Sequence, residues 1–221
     1  MRLERLQITI FLGVAALAWW LVLFAQGTPV NGDHLRPFSS VVGVLVILAL
    51  AFERVLWRQR WLHGWLVARP DARGTWRVEL QSDWVNPETH ERVPTIVCYM
   101  GVAQTLSSLQ MHLMTKESES WIIANSVRAS NNGAGYQIAG VYTNKPHTQL
   151  RGQRSEMHLG GLVLDTHGPP HRPDTMTGEY WTDRKTKGSM SFTARIPALC
   201  TRFEDAERAF RASGAGAPSL G

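Results

Sequence analysis

Residues Thr177 to Phe192 read TGEYWTDRKTKGSMSF, and their side chains divide into two unlike sets at alternate positions. One set is mostly charged or small and polar, which is typical of the solvent side of a β-hairpin. The alternation predicts two strands with a turn near Lys187-Gly188. The second set, which should face a core, contains Gly178, Tyr180, Thr182, Arg184, Thr186, Gly188, Met190 and Phe192.

A guanidinium that faces a core needs an anionic partner, because burying an unpaired charge is costly. Two interpretations of Arg184 follow from this. One is an internal salt bridge with a core carboxylate. The other is a phosphate held inside a small β-barrel by Arg184, with hydroxyl donors from Thr182 and Thr186.

Other inward positions suggest what kind of molecule such a phosphate would belong to. Tyr142, Asn144 and Tyr180 fall on inward faces, and Trp76 is a candidate floor or wall. Tyrosine stacks on flat bases, asparagine pairs with base edges and arginine binds phosphate, so the set suits a nucleotide. The alternative is an ordinary core whose polar groups are satisfied internally.

Short strand-like runs recur from residue 74 to about residue 200. No helical pattern separates them, and Asn131-Asn132-Gly133 is a strong turn signal. We therefore predict an all-β antiparallel eight-stranded barrel over residues 74–200, with a sandwich as the alternative. A barrel of eight strands holds side chains or one small ligand. The runs are at residues 75–80, 93–100, 109–114, 121–127, 136–146 and 157–165, and two more form the hairpin.

Two apolar runs precede the barrel region, at residues 6–25 and 38–57. Each approaches the roughly 20 residues that a bilayer-spanning helix needs, so we predict a two-helix transmembrane hairpin within residues 1–60. Arg2 and Arg5 precede the first run, and Arg54, Arg58, Arg60, Arg69 and Arg73 lie at or beyond the end of the second. This distribution predicts that both termini are cytoplasmic. The alternative for the first run is a cleaved signal peptide.

The segments that flank the barrel carry weaker signals. Residues 61–73 are predicted to be an interfacial linker. Trp57, Trp61 and Trp65 would form one stripe if the second helix continued there. A lever between barrel and membrane helices is the alternative. Residues 201–221 are predicted to be a short amphipathic helix and a flexible tail.

The 221-residue chain has a net charge of +5 and offers little chemistry for catalysis. Cys98 and Cys200 lack metal-ligand spacing and are predicted to be reduced thiols. The loop at residues 165–174 holds two His and two Asp, but its three prolines favour a polar loop over a metal site. Glu156 and His158 could form an acid/base pair, but no nucleophile accompanies them. We predict no enzyme, no catalytic residues, no metal and no cofactor.

Four motifs together resemble a known family. They are Gly74-x-Trp76, Tyr142-Thr-Asn144-Lys-Pro146, His158-x-Gly160, and Gly178-x-Tyr180-x-Thr182-x-Arg184-x-Thr186-x-Gly188. The chain resembles the two-transmembrane, β-strand-rich (SMODS-associated) effectors of CBASS antiphage operons. The serine-rich stretch of that family is matched only loosely here, by Ser118 and Ser120.

The resemblance implies a multi-pass effector in the bacterial inner membrane whose cytoplasmic barrel binds a cyclic dinucleotide. A cGAS/DncV-like nucleotidyltransferase would make this activating ligand, and neither DNA nor RNA would bind. Binding would promote homo-oligomerisation and membrane disruption, and so abortive infection. The alternative is a non-catalytic, membrane-tethered β-barrel that binds a lipid or another small ligand. The expected ligand-binding residues are Arg184, Thr182, Tyr180, Thr186, Tyr142, Asn144 and Trp76.

Overall fold

The computed structural model describes residues 45–63, 66–86, 89–130, 135–150 and 156–214, with residues 13, 15–17, 19–21, 24 and 43. The chain divides into two units. The first comprises Met1–Trp57 and Thr105–Ser108, and the second comprises Arg58–Gln104 and Leu109–Gly221.

In the first unit, residues 45–54 are helical. Of the predicted transmembrane segments, 12 of the 20 residues in 6–25 and 6 of the 20 residues in 38–57 lie outside the described residues, as does the whole loop between them. In the described part of the chain, no helix is both long enough and apolar enough to cross a bilayer. The transmembrane hairpin therefore stays a prediction. The Glu53 carboxylate accepts hydrogen bonds from Thr105 Oγ1 at 2.6 Å and Ser107 N at 3.1 Å.

The expected continuation of the second helix past Trp57 is wrong. Two short 3-10 helices, Leu56–Arg58 and Arg60–Leu62, occupy this stretch. Gln59 between them has an extended backbone, with φ −66° and ψ 126°, so the helical ladder cannot continue through it. Trp65, the third member of the proposed tryptophan stripe, lies outside the described residues.

The second unit is a closed barrel of eight antiparallel strands, in which each strand pairs with the next and the last strand pairs with the first. The predicted eight-stranded antiparallel barrel is therefore confirmed, and the sandwich alternative is wrong. A 3-10 helix, Thr148–Leu150, follows the fifth strand. The strands are β1 Gly74–Ser82, β2 Ile96–Gln104, β3 Leu109–Met114, β4 Ser118–Ala129, β5 Tyr136–Pro146, β6 His158–His167, β7 Thr175–Thr182 and β8 Lys187–Ile196.

One end of the barrel is filled by apolar side chains, and Trp76 is the largest of them. Its ring is fully buried and packs edge-on against Phe192, with centroids 6.0 Å apart. Its Nε1 donates to the Ala72 carbonyl at 2.8 Å, and the Arg195 guanidinium lies 4.7 Å from the ring centroid. Val78, Val102, Ile138, Leu164 and Met176 complete this packed end.

A helix at residues Phe203–Ser213 follows the last strand, as the amphipathic pattern predicts. It packs on the outer surface of the barrel, where Phe203 and Phe210 stack against Tyr99 of β2 with ring centroids 5.2 Å apart. Residues 215–221 of the predicted flexible tail lie outside the described residues. Cys98 and Cys200 are both free thiols, as expected, and Cys98 is buried.

Candidate functional site

The other end of the barrel encloses a cavity of about 950 Å³. This is the end where the β1–β2, β3–β4, β5–β6 and β7–β8 connections lie. A volume of this size accommodates one small-molecule ligand. Its deeper wall is apolar and is formed by Leu80, Met100, Met111, Leu113, Ile122, Leu162 and Met190. Polar side chains lie nearer the strand ends: Ser118, Ser120, Tyr142, Asn144, His158, Tyr180, Thr182 and Thr186.

Each cavity tyrosine lies against a glycine on the neighbouring strand. Tyr142 of β5 pairs with Gly160 of β6, and Tyr180 of β7 pairs with Gly188 of β8. A Cβ at Gly188 would come within 2.7 Å of Tyr180 Cε1, so only glycine leaves room for this ring position. The missing side chains let both rings lie flat along the wall, beside the cavity instead of across it.

Burial raises the pKa of Tyr142 well above its usual range, with a further contribution from Tyr180. Burial likewise raises the pKa of Tyr180. Both phenols therefore stay protonated at physiological pH and can donate hydrogen bonds. The Tyr142 hydroxyl is 3.5 Å from the Trp181 carbonyl.

Asn144 of β5 is hydrogen-bonded to two serines on the neighbouring strand, β4. Its Nδ2 donates to Ser120 Oγ at 2.8 Å and to Ser118 Oγ at 3.1 Å. Ser120 is the register partner of Asn144, so β-pairing itself sets this arrangement. The network places three polar groups on the cavity wall, and Asn144 and Ser120 are buried.

The β7–β8 turn brings Thr182, Thr186 and Arg184 to the cavity rim. Thr182 N donates to the Thr186 carbonyl at 2.9 Å, and the two threonine hydroxyls are 2.7 Å apart. Lys185 N donates to the Thr182 carbonyl at 3.1 Å, and Lys185 has φ 66°. A left-handed residue at this point is typical of short hairpin turns.

The structure corrects the position predicted for Arg184. The chain reverses at residues 183–186, before Lys187-Gly188, so Arg184 lies in the turn and not on a core-facing strand. Its side chain is exposed at the rim, where it lines the cavity and donates to the Glu156 carbonyl. An exposed guanidinium does not require a buried anion, so the burial argument for a phosphate no longer applies. The position at the rim keeps Arg184 within reach of a ligand in the cavity.

Six of the seven predicted ligand-binding residues line the cavity: Arg184, Thr182, Tyr180, Thr186, Tyr142 and Asn144. Trp76 does not line it, because its ring belongs to the packed end of the barrel. Sequence reasoning missed Trp84, Lys116, Phe203 and Glu207, which also line the cavity. These four lie on loops and on the C-terminal helix, outside any strand alternation.

Two weaker candidates for chemistry came from the sequence: the pair Glu156 and His158, and the loop at residues 165–174. His158 lines the cavity, and its Nδ1 is 3.2 Å from the backbone carbonyl of Glu156. Asp165 accepts a hydrogen bond from Gln137, and His167 contacts Thr177 at 2.7 Å. Within the described ranges, no three His, Cys, Asp or Glu side chains are grouped as a metal site requires.

Comparison with protein families adds an independent observation. The family model described as "Cap15, cyclic dinucleotide receptor domain" matches residues 67–194, which is more than half of the chain. The chain belongs to the Cap15 family. This confirms the resemblance to CBASS effectors noted from the sequence motifs. Among curated proteins, none matches the sequence well enough to count as a relative.

The Cap15 match coincides with the barrel. It begins shortly before β1 and ends within β8, so it includes all six cavity-lining residues named from the sequence. The C-terminal helix lies beyond the matched range. By its family, the barrel is a cyclic dinucleotide receptor domain.

Proposed function

We propose that this Cap15 chain is an effector of bacterial antiphage defence that is switched on by a cyclic dinucleotide bound in the barrel cavity. The observation that carries the proposal is the cavity of about 950 Å³ with a polar rim, inside a barrel of the receptor family. The apolar wall suits the faces of two bases, and the rim offers hydrogen-bond donors to sugar and phosphate.

The proposed binding residues act in three ways. Arg184 binds a phosphate through charge-assisted hydrogen bonds, and Thr182 and Thr186 add neutral donors beside it. Tyr142 and Tyr180 present aromatic surface to the bases. Asn144 contacts a base edge or a ribose. The site binds without catalysing a reaction.

The consequences of binding complete the proposal. A cGAS/DncV-like nucleotidyltransferase supplies the ligand, and the liganded chains associate with one another in the inner membrane through the predicted hairpin. The association disrupts the membrane and kills the infected cell. The apolar segments at residues 6–25 and 38–57 and the basic residues beside them support this location.

Calorimetry tests ligand binding directly. The full-length chain in detergent is titrated with cyclic di-AMP, cyclic di-GMP, 3′,3′-cyclic GMP–AMP and cyclic di-UMP. Saturable binding of at least one of them is expected. If the folded chain binds none of these probes but takes up a fatty acid, the barrel is a lipid-binding module instead.

A cellular assay tests the consequence of binding. The chain is co-expressed in bacteria with a synthase that makes the bound cyclic dinucleotide, and dye entry through the membrane is measured. Dye should enter these cells and not cells with a catalytically inactive synthase. Binding in calorimetry without any dye entry would leave a receptor whose output is not membrane disruption.

A further inference from the structure

The cavity rim carries a second cation that the family motifs do not include. Among the described residues that line the cavity, lysine and arginine occur once each, as Lys116 and Arg184. Lys116 lies in the turn between β3 and β4, and Arg184 lies in the turn between β7 and β8. The following inference rests on the proposed function, because it concerns how the same cavity recognises a cyclic dinucleotide.

Strand order places these two turns on opposite sides of the rim. In the closed barrel, four strands separate the β3–β4 turn from the β7–β8 turn in either direction around the ring. Strand spacing and tilt make an eight-stranded barrel about 15 Å across between opposite backbones. Two long cationic side chains can therefore approach one bound molecule from opposite sides.

Local contacts hold Lys116 at this position. In its turn, Thr115 N donates to the Ser118 carbonyl at 2.9 Å, and Ser118 N donates to Thr115 Oγ1 at 2.8 Å. Lys116 Nζ lies 5.9 Å from the centroid of the Phe203 ring, on the C-terminal helix. A cation near an aromatic face is weakly held there and stays available to an anion.

The charges nearby leave the rim suited to an anion on this side. Among the described residues that line the cavity, the acidic ones are Glu117 and Glu207. Glu207 is paired with Arg211, whose NH2 lies 3.1 Å from its carboxylate. Glu117 follows Lys116 in an exposed turn, where water screens its charge.

We propose that Lys116 binds the second phosphate of the cyclic dinucleotide, across the cavity from the phosphate bound by Arg184. A cyclic dinucleotide carries two phosphates on opposite sides of its ribose–phosphate ring, so two opposed cations match it. A ligand with one phosphate satisfies only one of them. The pair Lys116 and Arg184 therefore selects a two-phosphate ring over a mononucleotide of the same base.

The test compares Lys116→Ala with a matched surface variant, Lys145→Ala. Lys145 is exposed on β5 and does not line the cavity. Full-length proteins are titrated by calorimetry with the four cyclic dinucleotides named above, at low and at high salt. Lys116→Ala should weaken binding about tenfold or more and reduce its salt dependence, whereas Lys145→Ala should stay within about twofold of wild type. Lys116→Arg should restore most of the affinity.

Each result decides between the two proposals. If wild type binds a probe and Lys116→Ala binds it equally well at both salt concentrations, the second phosphate contact is wrong and the proposed function stands. An equal loss in Lys145→Ala would also overturn the contact, because the effect would be general surface charge. If wild type binds none of the four probes, the proposed function and this inference fail together.

Discussion

Tyr142 packs directly against Gly160, its register partner on the adjacent strand. A Cβ at Gly160 would come within 2.3 Å of Tyr142 Cζ and 2.4 Å of its hydroxyl oxygen. The glycine therefore sets where the ring lies on the cavity wall. Gly161, the next residue, has the same relationship with Trp181 on the outside of the barrel, where the indole would be 2.3 Å from a Cβ.

These two glycines give a matched pair of substitutions. Gly160→Ala should push the Tyr142 ring from its position and lower the free energy of unfolding by about 1–3 kcal/mol, the usual cost of overpacking. Ligand affinity of the protein that remains folded should also fall. Gly161→Ala should destabilise less, because Trp181 is 51 % exposed and can move, and it should not change affinity. Thermal unfolding and calorimetry measure both effects. Equal affinity losses in the two variants would show that Tyr142 does not contact the ligand.

Arg184→Ala should weaken cyclic dinucleotide binding by about 10- to 100-fold, the range expected for losing hydrogen bonds from a charged donor. Because Arg184 is exposed in a turn, the melting temperature should change little. Arg128→Ala is the control, since Arg128 is exposed on β4 and bonds Gln137 at 3.0 Å on the outer surface. Calorimetry and dye entry should respond to Arg184→Ala alone. Normal binding by Arg184→Ala would remove the phosphate role from this residue.

Cys98 should resist thiol reagents in the folded protein. Its side chain is buried, and burial raises its pKa to about 12, so the reactive thiolate is scarce near neutral pH. A colourimetric thiol assay at about pH 8 should therefore detect no rapid reaction in Cys200→Ser, the variant that keeps only Cys98. After denaturant is added and the protein unfolds, one thiol per chain should react. Rapid labelling of native Cys200→Ser would mean that the barrel opens frequently around β2.

His112 should make the stability of the barrel depend on pH. Its ring stacks on Trp121 with centroids 4.9 Å apart, and burial lowers its pKa despite the attraction of Glu119. The unfolded chain then binds the proton more readily than the folded chain. The free energy of unfolding should therefore fall as the pH drops below about 6.5, the ordinary histidine pKa, towards the lowered folded value.

The variant His112→Phe keeps an aromatic ring against Trp121 and removes the titrating group. Its melting temperature should change less than that of wild type between about pH 7.5 and about pH 5.5. Differential scanning calorimetry measures this difference directly. If the two proteins lose the same stability over this range, other groups carry the pH dependence.

The strand positions could be predicted from the sequence. In a barrel with an apolar interior and a solvated exterior, inward-facing and outward-facing side chains alternate along every strand, and this alternation is visible in the sequence. The position of the β7–β8 turn did not follow. The sequence numbers of Thr182, Thr186 and Gly188 differ by even amounts, so the alternation continues through the turn as if the strand had not ended. The pattern therefore placed Arg184 on the correct side of the chain but could not show that it lies in a turn.

The sequence also could not show how far along the barrel axis each inward-facing side chain lies. Alternation shows that Trp76 points inward, but strand register decides that it lies at the packed end beside Arg195 and not at the cavity. Lys116 and Phe203 reach the cavity only because the sheet closes and the C-terminal helix packs on β2. Both are long-range events with no signature in the local sequence.

Pairing of β1 with β8 leaves the barrel without an unpaired edge strand. A partner chain cannot extend this sheet by adding a strand to it, because every strand already has two neighbours. Contacts between copies at the barrel must then be made by side chains. Single surface substitutions should accordingly be able to separate ligand binding from the proposed self-association, which would give variants that bind the ligand without assembling.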